Sequence, residues 1–378
     1  MTLLFWTALG FVVYTYLGYP LGLAVVARRR RPRPVPAIPD HRLPPLTVVV
    51  AAWNEAANLP RKIESINASD YPGDRIRIIV ASDGSDDDTE EVLRPFDNVD
   101  LVKLPARQGK PSALNAAMRH VTTPYVVFTD ARQTLKADAI RRLIEALADP
   151  AVGAVSGELV QLDAGTNESV SVGLYWKYEK WIRRNESIVH SVPGVSGALY
   201  AIRSEDFPVL PADAILDDFE VPIAILRQGK QIKFESGAIM YDRVEAASVD
   251  EQRRKIRTLL GNYQSFSRNR WLFDPRRNPI WVQFVSHKVL RLIVPYWMAV
   301  LVVTPLWLSG GFYQLFLLTE AGFYSVVALA KLVPASRHNR LVSFCNVFWD
   351  MNVAAVIALK RFLANDYDVR WKKPVAET

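Results

Sequence analysis

Cysteine is almost absent: Cys345 is the only one in 378 residues. It has no partner in the chain, which excludes an internal disulfide framework and a cysteine-based zinc site and is compatible with a reduced, cytoplasm-facing catalytic part. Histidine is scarce as well, and His41, His120, His190, His287 and His338 are too scattered for a metal-ligand spacing. With 50% hydrophobic and 22% charged residues, the chain lacks the composition of a disordered, collagenous or disulfide-stapled protein. Charge is missing from particular places: Leu3 to Ala27 holds no charged residue, nor does Leu292 to Thr319.

As a helix the first of these runs extends roughly 37 Å at about 1.5 Å per residue, enough to cross a bilayer. Arg28, Arg29, Arg30, Arg31 and Arg33 follow it at once and supply five of the seven excess positive charges. A basic flank after an apolar span is the positive-inside signal, so the cluster speaks for topology and against nucleic acid as a partner. No basic n-region or A-x-A site is present, so residues 1–27 are expected to be an anchor with the following chain in the cytoplasm. The second run is divided by Ser309-Gly310-Gly311 into expected spans at about 287–308 and 312–333, with Lys288 and Arg291 snorkelling at the cytoplasmic end. The last apolar segment, Leu341 to Leu359, contains Asn346, Asp350 and Asn352 and either spans or lies in the interface. Three crossings would return the basic tail of Arg361, Arg370, Lys372 and Lys373 to the cytoplasm, so three are expected.

Between these segments, residues 28–45 form a basic linker stiffened by Pro32, Pro34, Pro36, Pro39, Pro44 and Pro45. Residues 46–280 are expected to be one α/β catalytic domain, 281–363 the C-terminal membrane region and 364–378 a tail. The continuous β-branched run Thr47 to Ala52 predicts a strand buried on both faces, and Arg75 to Ser82, Asp100 to Leu104 and Tyr125 to Thr129 predict three further strands. Helical patterns at Ala56 to Asn67, after Asp86, at Pro111 to His120 and at Lys136 to Leu147 alternate with them. Val152 to Val160, Gly197 to Arg203 and Gln231 to Ser236 predict three more strands. The alternation predicts a mostly parallel sheet with helices on both faces. Ligands of such sheets bind at the carboxyl ends of the strands, which singles out Ala52 to Glu55, Asp83 to Ser85 and Asp130 to Arg132.

Asp83 precedes the flexible Gly84 at such an end, where an acceptor can grip a base or ribose, while Asp86 to Thr89 are as well explained by helix capping. Asp130 offers carboxylate oxygens suited to a hard divalent cation whose other ligand is phosphate. In order, AAWNEAANL, SDGSDDDT, RQGKPSALN, FTDARQ, GVSGALYAIRS, LDDFEVP and EQRRKIRTLLGN resemble the motifs of membrane-anchored family 2 glycosyltransferases, relatives of cellulose, chitin and hyaluronan synthases and of bacterial exopolysaccharide transferases. The resemblance covers about residues 46–270. It implies a type A glycosyltransferase fold, a nucleotide diphosphate donor that is usually UDP-linked, inversion, and Mg2+ or Mn2+.

Carried onto this chain, the resemblance gives Ala52, Glu55 and Asp83 to the nucleotide, Lys110 to the donor and Asp130 to the metal. Arg132 stands where a second metal-binding carboxylate is expected; either Asp130 shares the ion with diphosphate and water, or Arg132 itself neutralises phosphate. Asp217 and Asp218 resemble the family's acid pair, with Asp218 the general base. Gly197, Gln252, Arg254 and Lys255 fall at acceptor or diphosphate positions. Gln252 to Ile256 departs from the family's Q-x-x-R-W signature by Lys for Arg and Ile for Trp, which puts long-chain processivity in question. The partners implied are a nucleotide-sugar, a polysaccharide or lipid-linked acceptor and the bilayer, with a homo-oligomer or export partner left open. Two alternatives stay open: a polyprenyl-phosphate sugar transferase, or a catalytically degenerate nucleotide-binding regulator.

Overall fold

In the computed structural model, which describes residues 1–30, 35–163, 174–244 and 249–367, the run Leu46–Ala52 forms β1 and every residue of it is buried. β2 (Ile76–Ser82), β3 (Val99–Lys103) and β4 (Tyr125–Asp130) follow, each separated from the last by a helix. β5 (Thr134–Leu135), β6 (Val152–Asp163), β7 (Leu199–Arg203) and β8 (Gln231–Val244) complete one sheet in the order β3-β2-β1-β4-β7-β6-β8-β5.

The neighbours β1–β2, β1–β4, β2–β3 and β6–β8 are parallel; β7 runs antiparallel to β4 and β6, and β5 to β8. Two reversals through β7 leave β6 and β8 pointing the same way as β4. The carboxyl ends of β1, β2, β4 and β8 therefore share one edge of the sheet. Its core is formed by Val48, Val50, Ile78, Val80 and Val127 with Leu59, Ile63 and Ile66 of the helix Leu59–Asn67 and Ile140, Leu143 and Ile144 of the helix Ala139–Ala146.

Several local expectations change. The first helix starts at Leu59, because Asn54 takes a left-handed φ of 54° and the loop must turn before Pro60 can open the helix. β7 begins at Leu199, since Leu199 N–H turns back to Ser196 O at 3.1 Å. The expected short strand at Gln231 continues to Val244. Its register against β6 jumps from Ser156↔Phe234 to Glu158↔Ile239, so the residues around Gly237 bulge out and pairing resumes beyond them.

The chain divides into two units. Pro32–Val170, His190–Ser248 and Tyr367–Thr378 make the sheet unit, and Met1–Arg31, Ser171–Val189 and Val249–Asp366 the helical one. Two pieces expected within the catalytic domain, 171–189 and 249–280, therefore group with the apolar helices. Their buried side chains explain it: Ile182 of the helix Leu174–Val189 packs with Tyr19 and Leu23, and Ile256 and Leu260 of the helix Val249–Arg268 are buried.

Four helices are long and apolar enough to cross a membrane: Thr2–Arg29, Trp281–Trp307, Gly311–Leu332 and Arg340–Leu363. Arg291 does not snorkel. It is 14% exposed and turned inward to Glu179, while His287 lies 2.8 Å from Glu186 and 3.1 Å from Glu179. Tyr19 donates to Glu186 at 2.7 Å. In the last helix Asp350 pairs with Lys331 at 2.6 Å and accepts from Asn346 Nδ2, and Asn352 Nδ2 donates to Phe348 O, so each side chain has a partner inside the unit, while the Oδ1 atoms of Asn346 and Asn352 are buried and accept no hydrogen bond.

Gly157 lies in β6 where β7 and β8 close on it, and a Cβ there would stand 2.7 Å from Ala238 O and 2.8 Å from a Leu199 methyl. Gly157→Ala is expected to lower the thermal midpoint at a cost of about 1–3 kcal/mol. Gly73→Ala, which meets open space, should leave the midpoint in place; equal effects of the two substitutions would contradict the packing described.

Candidate active site

Three loops at the carboxyl edge are tied to one another. Asn54 N–H donates to Ser85 Oγ at 3.0 Å, Asp86 N–H to Asn54 Oδ1 at 3.0 Å, and Ala56 N–H to Asp87 Oδ2 at 2.9 Å. Asp86 and Asp87 thus join the first loop to the second, and the helix that follows has no side-chain cap at Asp88. Gly84, at φ +65°, allows the third loop to come close: a Cβ would lie 2.6 Å from Ala106 C and 2.7 Å from Arg107 N. Asp83 is completely buried, and its Oδ1 accepts the N–H groups of Gln108 at 2.7 Å and Gly109 at 2.8 Å. It fixes the turn that leads into Lys110. Arg107 lays its guanidinium 3.5 Å above the Trp53 ring, closing the same loops from the side.

Lys110 opens the helix Lys110–Met118. Its Nζ is 2.8 Å from Asp130 Oδ1, 3.3 Å from Asp217 Oδ2 and 3.5 Å from Gly197 O, with the side chain 8% exposed. Burial alone would pull the ammonium down, but Asp130 and Asp217 outweigh it and hold the group charged well above the ordinary lysine range. Burial pushes the Asp217 carboxyl up, with Lys110 opposing. Asp217 and Asp218 open the helix Asp217–Arg227, where its positive end favours carboxylates.

Asp218 sits against Gly197, where a Cβ would be 3.1 Å from Asp218 Oδ2, and its carbonyl accepts Val195 N–H at 3.1 Å. A side chain at Gly197 would press on that carboxylate. Tyr200, stacked on Phe128 at 4.9 Å, lies below; burial and then Asp217, Asp218 and Asp130 push its phenol well up.

The turn after Asp130 is held by long cations. Lys62 is fully buried and donates to Thr129 Oγ1 at 2.6 Å and Gln133 O at 3.0 Å; burial pulls it down to about 7, with Asp130 opposing. Arg61 donates to Arg132 O at 3.0 Å, and Arg132 itself reaches Asp242 Oδ2 at 2.6 Å.

Among the described residues no group of three His, Cys, Asp or Glu side chains could hold a metal ion. The one-third-exposed Asp130, with Lys110 on one oxygen, fits a divalent cation that takes a single protein carboxylate and completes its shell with phosphate and water.

The structure thus brings Lys110, Asp130 and Asp217 into contact and sets Gly197 beside Asp218. Ala52 accepts Asp83 N–H at 2.9 Å, and Glu55 holds Asn58 through its carboxylate at 2.6 Å. Gln252, Arg254 and Lys255 stand on the helix Val249–Arg268 of the helical unit; Gln252 and Arg254 are exposed and Ile256 is buried.

Lys62 and Asp242 escaped the sequence reading although each left a signal. Lys62 shares a face with Leu59, Ile63 and Ile66, and Asp242 continues the alternating buried positions Ala238 and Met240. An ion on an apolar stripe is the mark of a buried, paired group.

The model of glycosyl transferase family 2 matches residues 47–207. The poly-beta-1,6-N-acetyl-D-glucosamine synthase of Staphylococcus epidermidis is 24% identical over 234 residues, covering 60% of this chain and 56% of that protein. The synthase of the same name from Staphylococcus aureus is 25% identical over 242 residues, 62% and 58%. The chain therefore spans a little over half the length of these curated relatives. Among solved structures, the mannosyltransferase PcManGT from Pyrobaculum calidifontis, in complex with GDP-Man and Mn2+, superposes with a TM-score of 0.73 at 24% identity, covering 96% of this chain and all of that one. At that identity the likeness speaks for the fold.

Removing Lys110 leaves Asp217 without its counter-ion. A carboxyl whose folded-state value lies above the unfolded one supports the fold fully below the ordinary carboxylate range and loses that support as pH rises through the shifted value. Lys110→Met should therefore lower the thermal midpoint more at pH 8 than at pH 5, with a free-energy cost of about 3–5 kcal/mol at the alkaline end. A deficit equal at both pH values would contradict the pairing.

Proposed function

Residues 47–207 are a family 2 glycosyl transferase domain, and on that premise we propose that the chain transfers a sugar, with inversion, from a UDP-linked donor to a polysaccharide or glycolipid acceptor at the cytoplasmic face of a membrane. The observation that carries this reading is the arrangement at the carboxyl edge: Lys110 locked between Asp130 and Asp217, with the Asp218 carboxylate lying directly against Gly197.

The two members of the acid pair divide the work. Asp217 is buried and ion-paired, so it orients Lys110 and is poorly placed to exchange protons with a substrate. Asp218 takes the proton of the acceptor hydroxyl as its oxygen bonds to the anomeric carbon. The bond from that carbon to the diphosphate oxygen breaks, and the nucleoside diphosphate leaves with the electron pair. Lys110 and Arg132 place positive charge where negative charge collects on the leaving group. Asp130 would hold Mg2+ or Mn2+ together with diphosphate oxygens, and a bound cation there supplies further charge stabilisation to the leaving group. The Asp83-held loop, with Trp53 and Arg107, is the side at which the nucleoside enters. A polymer of N-acetylhexosamine is supported by the names of the curated relatives. Ile256, which stands where the Q-x-x-R-W signature has tryptophan, is buried, and this supports limited processivity.

Asp218→Asn should reduce nucleoside diphosphate release across a panel of UDP-sugars by about 10²- to 10⁴-fold while nucleotide binding persists. Retention of the parent rate would remove Asp218 from the reaction. Mass spectrometry of the product identifies sugar and acceptor.

For topology, the arginine cluster and the basic tail support three crossings with the tail on the cytoplasmic side. In a Cys345→Ser background, Thr378→Cys should be labelled by an impermeant thiol reagent only after the membrane is opened. Labelling of intact cells would require four crossings.

A further inference from the structure

The carboxyl edge of the sheet carries a buried carboxylate with no part in the chemistry above. Asp242 lies two residues before the end of β8, which runs in the direction of β4, so it arrives at the same edge as Asp130. It is 4% exposed, on the strand face where Ala238 and Met240 are fully buried. A carboxylate there is costly unless paired. Its partner is Arg132, whose Nη2 stands 2.6 Å from Asp242 Oδ2; Asp242 Oδ1 is enclosed and accepts no hydrogen bond.

Arg132 is anchored twice, through its side chain by Asp242 and through its carbonyl by Arg61. The pairing Thr134↔Tyr241 fixes the following residues against β8, and Lys62 holds Gln133 O. Yet the Arg132 side chain remains 35% exposed. A guanidinium with one nitrogen fixed and part of its surface open, two residues beyond Asp130, has the planar fork that matches phosphate oxygens.

We propose that Arg132 and Asp242 form a fixed-cation subsite for the donor's diphosphate, with Asp242 the positioning residue that sets the Arg132 fork. The inference rests on the nucleotide-donor reading above. Arg132 then supplies, as part of the fold, charge that a second carboxylate would otherwise supply by recruiting a metal ion, and part of the diphosphate affinity is independent of any divalent cation.

Calorimetric titration of the detergent-solubilised full chain with UDP and with GDP, in EDTA and separately in Mn2+, tests this. The parent should bind at least one of the two in EDTA. Arg132→Ala should weaken that binding about tenfold or more, as loss of a charge-assisted hydrogen bond does. Arg132→Lys, which keeps the charge and loses the fork, should fall between. Asp242→Asn should weaken it about 3- to 10-fold, the effect of releasing one ordered side chain. The double variant Asp242→Asn with Arg132→Ala should be no weaker than Arg132→Ala alone, because Asp242 acts through the arginine. The free nucleoside, lacking phosphate, should bind parent and variants alike.

Unchanged affinity in Arg132→Ala, unchanged or tighter binding in Asp242→Asn, or additive losses in the double variant would overturn the subsite. If the parent bound neither nucleotide with or without Mn2+, the nucleotide-donor reading would fail, and the subsite with it. Binding by the parent only in Mn2+ would overturn the subsite alone.

Discussion

The ammonium of Lys110 is what allows this site to exist. Asp130 and Asp217 come from a strand end and a helix start far apart in the chain, and both approach the same buried ammonium. Two carboxylates so placed repel each other and resist desolvation, and a single charged nitrogen between them offsets both effects. The arrangement reaches outward from there. Asp83 holds the turn that starts the helix of Lys110, Gly84 makes room for that turn, and Asp86 and Asp87 tie the neighbouring loop to it. Loop order at the carboxyl edge is thus organised around keeping one lysine in register.

Charge is distributed around that point with a pattern. Asp217 is paired with Lys110 and buried; Asp218, one residue on, lies beside Gly197. Adjacent residues on one helical turn acquire different chemistry because the helix points one at the lysine and the other at the Gly194–Gly197 loop. The cations behave likewise. Lys62 is buried and spent on Thr129 Oγ1 and Gln133 O, either side of Asp130, whereas Arg132 keeps an open edge.

Much of the sheet was legible because its strands are buried on both faces, and unbroken runs such as Thr47 to Ala52 have no other stable use in a domain of this size. The strand-end rule then placed Asp83 and Asp130 without any structural knowledge. The strand expected at Gln231 to Ser236 stops where β8 bulges; Gly237 N–H bonds Glu235 Oε1 at 2.9 Å within that bulge, and the ladder continues past it. That one misjudged bulge hid Asp242. Arg291 was misplaced for another reason: its partner Glu179 lies 112 residues away on a helix outside the apolar spans, and no local pattern reports such a pairing. Lys62 sat in plain view on an apolar face and needed only the question of what a lysine does there.

The helix Leu174–Val189 has a bearing on how the protein can be handled. It lies in the chain between β6 and β7, yet Ile182, Glu179 and Glu186 find their partners on the apolar helices. The chain passes from one unit to the other and back before the sheet is complete, so no pair of cuts outside the sheet frees a self-sufficient soluble piece. A fragment of residues 46–280 would carry this helix with its two glutamates and its isoleucine stripped of Tyr19, His287 and Arg291. The sheet unit and the apolar helices are interleaved along the chain, so they have to be produced and purified as one molecule.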